Sequence, residues 1–479
     1  MARINTNIPS ITAQVHLSRA TRDMNQTLQR LSSGLRINRG ADDPAGLIAS
    51  ETLRAEMASI TQAIGNTQRA SNVIATAEGA LAEVANLLVN IKELTVGAAN
   101  AGAMSQKEIE ANQLQVDSAI DSITRIANAT TFAGLHLLNG NLAYVTSGVA
   151  TSAVKGLDIY SAVLGDQSYL SVKVSGVLSA QRGELQFRTS QVDQSVTLEV
   201  ATNQGVEVFN FVSGFRSSSI VSAINAVTQT IGVSATFING ANRVSGVIFR
   251  SIDYGSDAFV SVRALPSSSG TFTTTDVVGT TTQRDIGRDV VATINGAKSV
   301  GTGQQITLNT TALDMQLKLA KQFGAGNTST FTITGGGAMF QLGPHINTSE
   351  QTNIGVNSIV ASRLGSIDTG FLNEVSTGGT YSLVSGQASG ASDIIEKAIE
   401  QISVLRGRLG SFERNTLDTN MNSLQITLEN VTASESAIRD ADFAVETASL
   451  TRSQILVNAG TSVLALANQT PQSVLALLQ

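Results

Sequence analysis

Residues 440–479 read DADFAVETASLTRSQILVNAGTSVLALANQTPQSVLALLQ. Phe443, Leu450, Val457 and Leu464 recur every seven positions, and Leu456 and Val463 thicken the stripe on its flank. Seven residues make nearly two helical turns, so these side chains share one face of a helix. Thr, Ser, Asn, Gln and Ala fill the intervals and make the opposite face polar with few charges. Pro471 stops the pattern, and a short apolar tail follows: Val474, Leu475, Leu477 and Leu478. No neighbouring stretch can cover such a stripe. Its partner has to come from far along the chain or from another molecule.

The other end of the chain mirrors it. Ile4, Ile8, Ile11 and Val15 step by four, three and four, a helical stripe. After a phase shift, Leu17, Met24, Leu28, Leu31 and Leu35 continue it. The two terminal helices are therefore expected to pair. Between residues 32 and 50 the pattern breaks: Gly34, Gly40, Asp42, Asp43 and Pro44 mark a joint. Asp42 and Asp43 are placed to cap the next helix, with Pro44 at its first position. Adjacent carboxylates in a turn are capping and ion-pairing groups far more often than an acid–base pair.

Helical spacing resumes at Ile60 and Ile64 and runs through Ile74, Leu81 and Leu88, with Ala77, Val84 and Ile91 beside them. Ser105 and Glu108 form a capping box that opens a helix with Ile109, Val116, Ile120, Ile123 and Ala127 on one face. Near the other end, a helix from Asp393 carries Ile395, Ile399, Ile402, Leu405, Leu409 and Phe412. After a phase slip, Leu417, Met421, Leu424, Leu428 and Val431 follow. Long helices from both ends that need one shared seam make a helical bundle. The middle, about 132–390, is rich in Thr, Ser, Val and Gly and alternates as strands do, for example Ala258 to Arg263, with turns at Asn239-Gly240 and Asn295-Gly296. One helix, 218–231, interrupts it. The expected class is mainly α: a helical coiled-coil and bundle core built from both termini, with β-rich (α+β) outer domains inserted. The divisions are 1–44 with 435–479 as an inner coiled coil, and 45–165 with 390–434 as a bundle with a β-hairpin. An outer α+β domain covers 166–270 and an outer β-rich domain 271–389.

Composition removes several classes. The net charge of −6 argues against nucleic acid, whose phosphates need a basic surface. Without cysteine, neither disulfides nor a thiolate metal site contribute. His16, His136 and His345 have no partner at metal-ligand spacing, and no zincin, Walker or nucleophile-elbow motif occurs, so no enzyme and no cofactor are expected. Gly335-Gly336-Gly337 reads as a loop end rather than a phosphate cradle. No apolar run approaches the length of a membrane span, and the N-terminus lacks the apolar core of a secretory signal, so no membrane insertion is expected. No aromatic residue precedes Phe132, which suits narrow aliphatic seams between helices. A helix pair with one wet side is marginal; both ends are expected to be largely unfolded in the monomer and to become helical on assembly.

The chain resembles bacterial flagellins. Ala2-Arg3-Ile4-Asn5-Thr6-Asn7 is similar to the family's opening, and Leu31 to Asn38 with Ala41-Asp42-Asp43 and Ala45-Gly46-Leu47 to its joint between inner and outer helices. Leu450 to Leu456, Ala467-Asn468-Gln469 and Val474 to Leu478 resemble its C-terminal signature. The likeness covers about 1–140 and 390–479. It implies a secreted, extracellular subunit that polymerises with itself into the bacterial flagellum's filament after unfolded export by a type III apparatus. It also implies a cap protein, a hook-junction protein and a cytoplasmic chaperone on the C-terminal helix as partners. The paired termini would line the channel, the 45–130 and 393–430 helices would build the wall, and 170–385 would project outward. Ile4, Ile8, Ile11, Val15, Leu28, Leu31, Leu35, Phe443, Leu450, Val457, Leu464, Leu475 and Leu478 are the expected self-assembly residues. Arg36, Asn38, Asp42 and Asp43 form a joint placed to bias the filament's waveform, or else a static ion-paired loop. Rival readings are a hook–filament junction protein and a filament-borne adhesin acting through the outer domains.

Many flagellins are also recognised by a vertebrate innate receptor. Leu88, Asn90, Glu93 and Leu94 lie in a segment resembling that recognition site, yet Asn90 replaces the family's usual arginine, and Gln115 stands where an acidic residue is expected. Loss of charged hydrogen bonds costs roughly 1.5–3 kcal/mol each. Weak or absent receptor activation is the expectation.

Overall fold

A computed structural model of the chain describes residues 6–100, 102–165, 167–266 and 270–476, with side chains placed through residue 469. Ile4, Leu478 and the side chain of Leu475 lie outside that description. Two compact units are present: residues 1–71, 341–350 and 413–479 form one, and 72–340 with 351–412 the other.

Helix α1 spans Ile8–Ser33, with Pro9 in its first turn, Asn7 capping the Ser10 N–H, and Gly34 ending it in the left-handed conformation at φ 73°. Helix α2, Pro44–Ala98, buries positions 60, 63, 67, 70, 74, 77, 81, 84, 88, 91, 95 and 98. That alternation of three and four is an unbroken 3.5-residue repeat. An 18-residue window of α2 is apolar enough by length and composition to cross a membrane, contrary to expectation. The core helix of a soluble protein passes the same test, and a third of that window is buried here. Helix α3, Gln106–Ala129, opens with the expected capping box: Glu108 accepts from the Ser105 N–H at 2.7 Å, and Ser105 Oγ accepts from the Glu108 N–H. A two-residue hairpin follows at Thr131–His136, its turn made by Ala133 and Gly134 at positive φ.

In the β-rich middle, two antiparallel sheets enclose one core. The five-stranded sheet orders strands 297–298, 291–294, 170–178, 328–335 and 145–147; the four-stranded sheet orders 300–302, 305–309, 313–319 and 154–162. Val172, Val174, Ile294, Met315, Leu317 and Phe331 lie between them, fully buried. A second core, centred on Leu185, Leu198, Phe249, Val260 and Val262, is shared by strands 184–187, 242–251 and 233–239, strands 284–286, 259–264, 196–201 and 206–211, and helix α4, Ser217–Ala226. The short helix α5, Thr228–Ile231, completes the helical stretch expected at 218–231. The packing differs from the divisions expected at 166–270 and 271–389. Residues 154–180 join 290–333 in one core, and the α+β module, about 182–288, is nested inside it. Antiparallel pairing of Thr332 with Ser147 closes that arrangement over nearly the whole insertion.

Helix α6, Ala388–Phe412, buries Ala391, Ile394, Ile395, Ala398, Ile402 and Leu409. Its Arg408 stacks over the Tyr160 ring, 3.3 Å from the centroid, and pairs with Asp314 at 2.8 Å. Burial pushes the Tyr160 hydroxyl up to about 12. The phase slip visible in the sequence is a π-helical turn, Glu413–Asp418. Eight residues of ideal α-helix would carry Leu417 about 80° past Leu409; the wider π turn returns Leu417 to the buried face. Helix α7, Thr419–Arg439, then sets Leu424, Leu428 and Val431 on Ile60, Ala63 and Ile64 of α2. Helix α8, Phe443–Ala476, closes the chain.

Candidate assembly surface

Helices α1 and α8 pair antiparallel. Asn7 donates to the Ala467 carbonyl at 2.8 Å, Ser10 bonds Asn468, Gly460 lies against Leu17, and Arg30 pairs with Glu446. The pairing of the two ends is as the sequence indicates, but the residues that make it are not the whole apolar stripe. On α1 the inward positions are Ser10, Ala13, Leu17, Ala20, Met24, Thr27 and Leu31; on α8 they are Glu446, Leu450, Ser453, Val457, Gly460, Leu464 and Ala467. Both rows follow the 3.5-residue period. Half of each row is small or polar, which lets the backbones approach: a Cβ on Gly460 would lie 3.3 Å from Leu17 Cδ1.

Among the expected self-assembly residues, Leu31, Leu450, Val457 and Leu464 are half-buried in this seam, and Leu35 makes a backbone bridge to Asp440 just beyond it. Ile8, Ile11, Val15 and Leu28 are exposed, and Phe443 is 70% exposed at the start of α8. Ile8, Ile11 and Val15 sit on the side of α1 opposite the seam, since each lies two residues, roughly 200°, from an inward position. On α8, Val445, Ile455, Leu456, Val463 and Leu466 are also exposed. An open groove runs along one flank of the pair, lined by Ala13, His16, Arg19, Ala20 and Asp23 of α1 and by Leu456, Ala459, Gly460 and Val463 of α8.

Arg30 and Glu446 were missed in the sequence. Their side chains are 26% and 10% exposed and meet at 3.1 Å inside the seam. The available signal was position: Glu446 begins the seven-residue row that continues through Ser453, Gly460 and Ala467, an ionisable group where small residues otherwise stand.

The joint is built from backbone as much as charge. Asp42 Oδ2 accepts from the N–H groups of Asn38 and Arg39, at 3.1 and 2.9 Å, and Oδ1 accepts from Gln26. The Arg39 N–H, against the opposing effect of burial, holds the Asp42 carboxyl below the usual carboxylate range; the Asn38 N–H, Arg30 and Arg39 assist. Of the two aspartates expected to cap α2, only Asp43 does so, accepting from the Gly46 N–H at 2.9 Å; Asp42 closes its own loop instead. Gly46 is required here, because a Cβ would come within 2.6 Å of Ile37 Cδ1, and Ile37 is buried. Asn38 donates to the Leu35 carbonyl. Arg36 ties the joint to the end of α7, donating its N–H to the Arg439 carbonyl at 2.7 Å and its guanidinium to the Ile438 carbonyl. Arg439 in turn pairs with Glu51 at 2.8 Å.

In the receptor-like segment, Asn90, Glu93 and Gln115 are exposed and Leu94 is half-buried, but Leu88 is fully buried. Leu88 belongs to the 3.5-residue core row of α2 and has no surface to offer a receptor. Among the described residues, no group of three or more His, Cys, Asp or Glu is arranged to hold a metal ion.

Comparison with known proteins agrees with this architecture. The bacterial flagellin N-terminal helical region matches residues 4–143, and the bacterial flagellin C-terminal helical region matches residues 392–478. Flagellin A of Helicobacter pylori is 29% identical over 515 aligned positions that cover 99% of each chain. The B-type flagellin of Pseudomonas aeruginosa is 28% identical over 99% of each chain. Among solved structures, the D1–D2–D3 domains of the flagellar cap protein from Escherichia coli align with a TM-score of 0.30 at 17% identity, covering 47% of this chain and 64% of that one, a likeness too weak to bear on function. With helical family regions at both ends and relatives matched along their whole length, the chain belongs to the bacterial flagellins.

Proposed function

We infer that this chain builds the flagellar filament by polymerising through its α1–α8 pair. It is a structural subunit of that filament, and the full-length likeness to flagellins favours this over a hook–filament junction protein or a filament-borne adhesin. The observation that carries the polymerisation reading is the unused apolar surface of the terminal pair. Four large apolar side chains of α1 and six of α8 remain exposed after the seam has formed. Exposed apolar side chains in this number on one helix pair are what an interaction surface requires, and a two-helix pair with a half-polar seam gains most by covering them.

The same surface supports the remaining assignments. A cytoplasmic chaperone that shields α8 would keep Phe443, Ile455, Leu456 and Val463 from aggregating before export. Cap and hook-junction proteins are the partners a growing extracellular filament requires at its two ends. The joint at Arg36, Asn38, Asp42 and Asp43 couples α1 to the end of α7 through backbone hydrogen bonds, a linkage suited to biasing filament shape. Deletion of residues 1–35 and 445–479 tests the polymerisation reading directly. The trimmed protein is expected to stay monomeric; tubes of normal length would overturn it.

A further inference from the structure

The tetrapeptide Ile-Asn-Gly-Ala occurs twice, at residues 238–241 and 294–297. Each copy sits at the turn of a β-hairpin, with its asparagine and glycine exposed. An asparagine followed by glycine is also where a chain can modify itself, because glycine puts no side chain in the way of its own amide nitrogen. We propose that Asn239, in the outer α+β module, is a site of spontaneous conversion to aspartate and isoaspartate, and that the fold protects Asn295, its twin in sequence. In the reaction the Gly240 amide nitrogen loses its proton and attacks Asn239 Cγ. A Cγ–N bond forms, the Cγ–Nδ2 bond breaks, and Nδ2 leaves as ammonia with the proton. Water, the only other reactant, then opens the five-membered succinimide. Breaking the new Cγ–N bond gives aspartate; breaking the original peptide bond gives isoaspartate, with the main chain rerouted through Cβ.

Ring closure needs a leaving group that is free and a carboxamide that can reach the next nitrogen. Asn239 offers both. Its Oδ1 accepts from the Ala241 N–H at 3.1 Å, which folds the carboxamide back over its own turn, toward the attacking nitrogen. Its Nδ2 has no hydrogen-bond partner among the described residues. A Cβ on Gly240 would meet nothing within 4 Å, so that nitrogen is open to approach. Strand pairing is irregular between Asn242 and Val247, which leaves the tip room to adjust as the ring closes. Asn295 is held at every point. Its Oδ1 accepts from the Lys173 N–H at 2.8 Å, its Nδ2 donates to the Ser171 carbonyl at 3.3 Å, and its N–H donates to the Lys173 carbonyl at 2.9 Å. Both ends of that carboxamide must leave strand 170–178 before Cγ can turn to Gly296. Exposure is alike at the two sites and the flanking residues are identical, so hydrogen bonding alone separates them. Each converted copy gains a negative charge at the tip of the 233–251 hairpin, so the module records its time in solution.

The full chain is incubated in mildly alkaline buffer, once folded and once in denaturant, and digested at intervals. Peptide mass spectrometry follows the amide-to-acid mass gain at each asparagine, and an isoaspartate-specific methyltransferase marks the rerouted product. In the folded chain Asn239 should convert about five- to tenfold faster than Asn295, the factor that one additional hydrogen bond of ordinary net strength provides. In denaturant the two rates should agree, since the local sequence is the same. Gly240→Ala, whose added methyl group meets open space, should slow conversion at Asn239 and leave Asn295 unchanged. Equal rates in the folded chain, or faster conversion at Asn295, would overturn the proposal. So would a preference for Asn239 of the same size in denaturant, because the fold would then have no part in it.

Discussion

Replacing Glu446 by Ala removes the one carboxylate inside the α1–α8 seam. Arg30, its partner at 3.1 Å, has a side chain only 26% exposed, and its Nε already lacks a hydrogen-bond acceptor. Breaking a fully buried pair costs about 3–5 kcal/mol, chiefly because a charge is stranded. Water reaches part of Arg30, so about 2 kcal/mol is the working figure, or roughly a 30-fold change in an equilibrium constant. If the pair forms as subunits join, the critical concentration for filament growth should rise by about that factor, measured by sedimentation of polymer across a dilution series. Glu446→Gln, which keeps the shape and an acceptor, should lose less. The double variant Arg30→Met, Glu446→Leu should regain most of the loss, because a packed apolar pair strands no charge. A critical concentration within twofold of the native value for Glu446→Ala, or a double variant as weak as the single one, would refute the reasoning.

Other outcomes follow from the joint, the β module and the receptor-like segment. Asp42→Ala should change filament waveform or assembly by releasing the Asn38 and Arg39 N–H groups. Because the folded Asp42 carboxyl sits below its ordinary value, its contribution is present above the unfolded pKa and disappears as pH falls through the folded one; native and variant filaments should therefore converge in acid. Unchanged swimming and unchanged filament shape would remove the role. Asp158 titrates the other way: burial raises its carboxyl, with Arg408 and Lys397 opposing, so its ionisation costs stability above the unfolded pKa and acid relieves that cost. Asp158→Asn, still able to accept from Asn357, should unfold at a higher temperature at neutral pH, with the gain fading in acid; a lower melting temperature at neutral pH would contradict this. With Asn90 and Gln115 in place of a charged pair, and Leu88 buried, reporter cells should respond weakly or not at all. A response equal to that from a flagellin carrying both charges would overturn this expectation.

The helical part of the fold was legible because its signal is local. The row from Ile60 to Ala98, the Ser105–Glu108 box and the slip between Phe412 and Leu417 can each be read within a few turns. The seam of the terminal pair was harder. Hydrophobic spacing draws the eye to Ile8, Ile11 and Val15, but antiparallel helices that approach closely bury Ser10, Ala13, Ala20 and Ser453, which carry almost no hydrophobic weight. The nesting of the β modules left no local trace, since register such as Thr332 with Ser147, or Ile294 with Val174, is decided between segments more than a hundred residues apart. The joint fell between these cases. Its glycines and aspartates announced a turn, while the division of labour between Asp42 and Asp43 depends on which N–H groups the folded loop presents.

Amide hydrogen exchange on monomer and filament, compared peptide by peptide, tests most directly whether the ends depend on neighbouring copies. Residues 8–33 and 443–469 should exchange almost freely in the monomer and become strongly protected in the filament, while residues 74–98 stay protected in both. Terminal helices as protected in the isolated chain as residues 74–98 would contradict it.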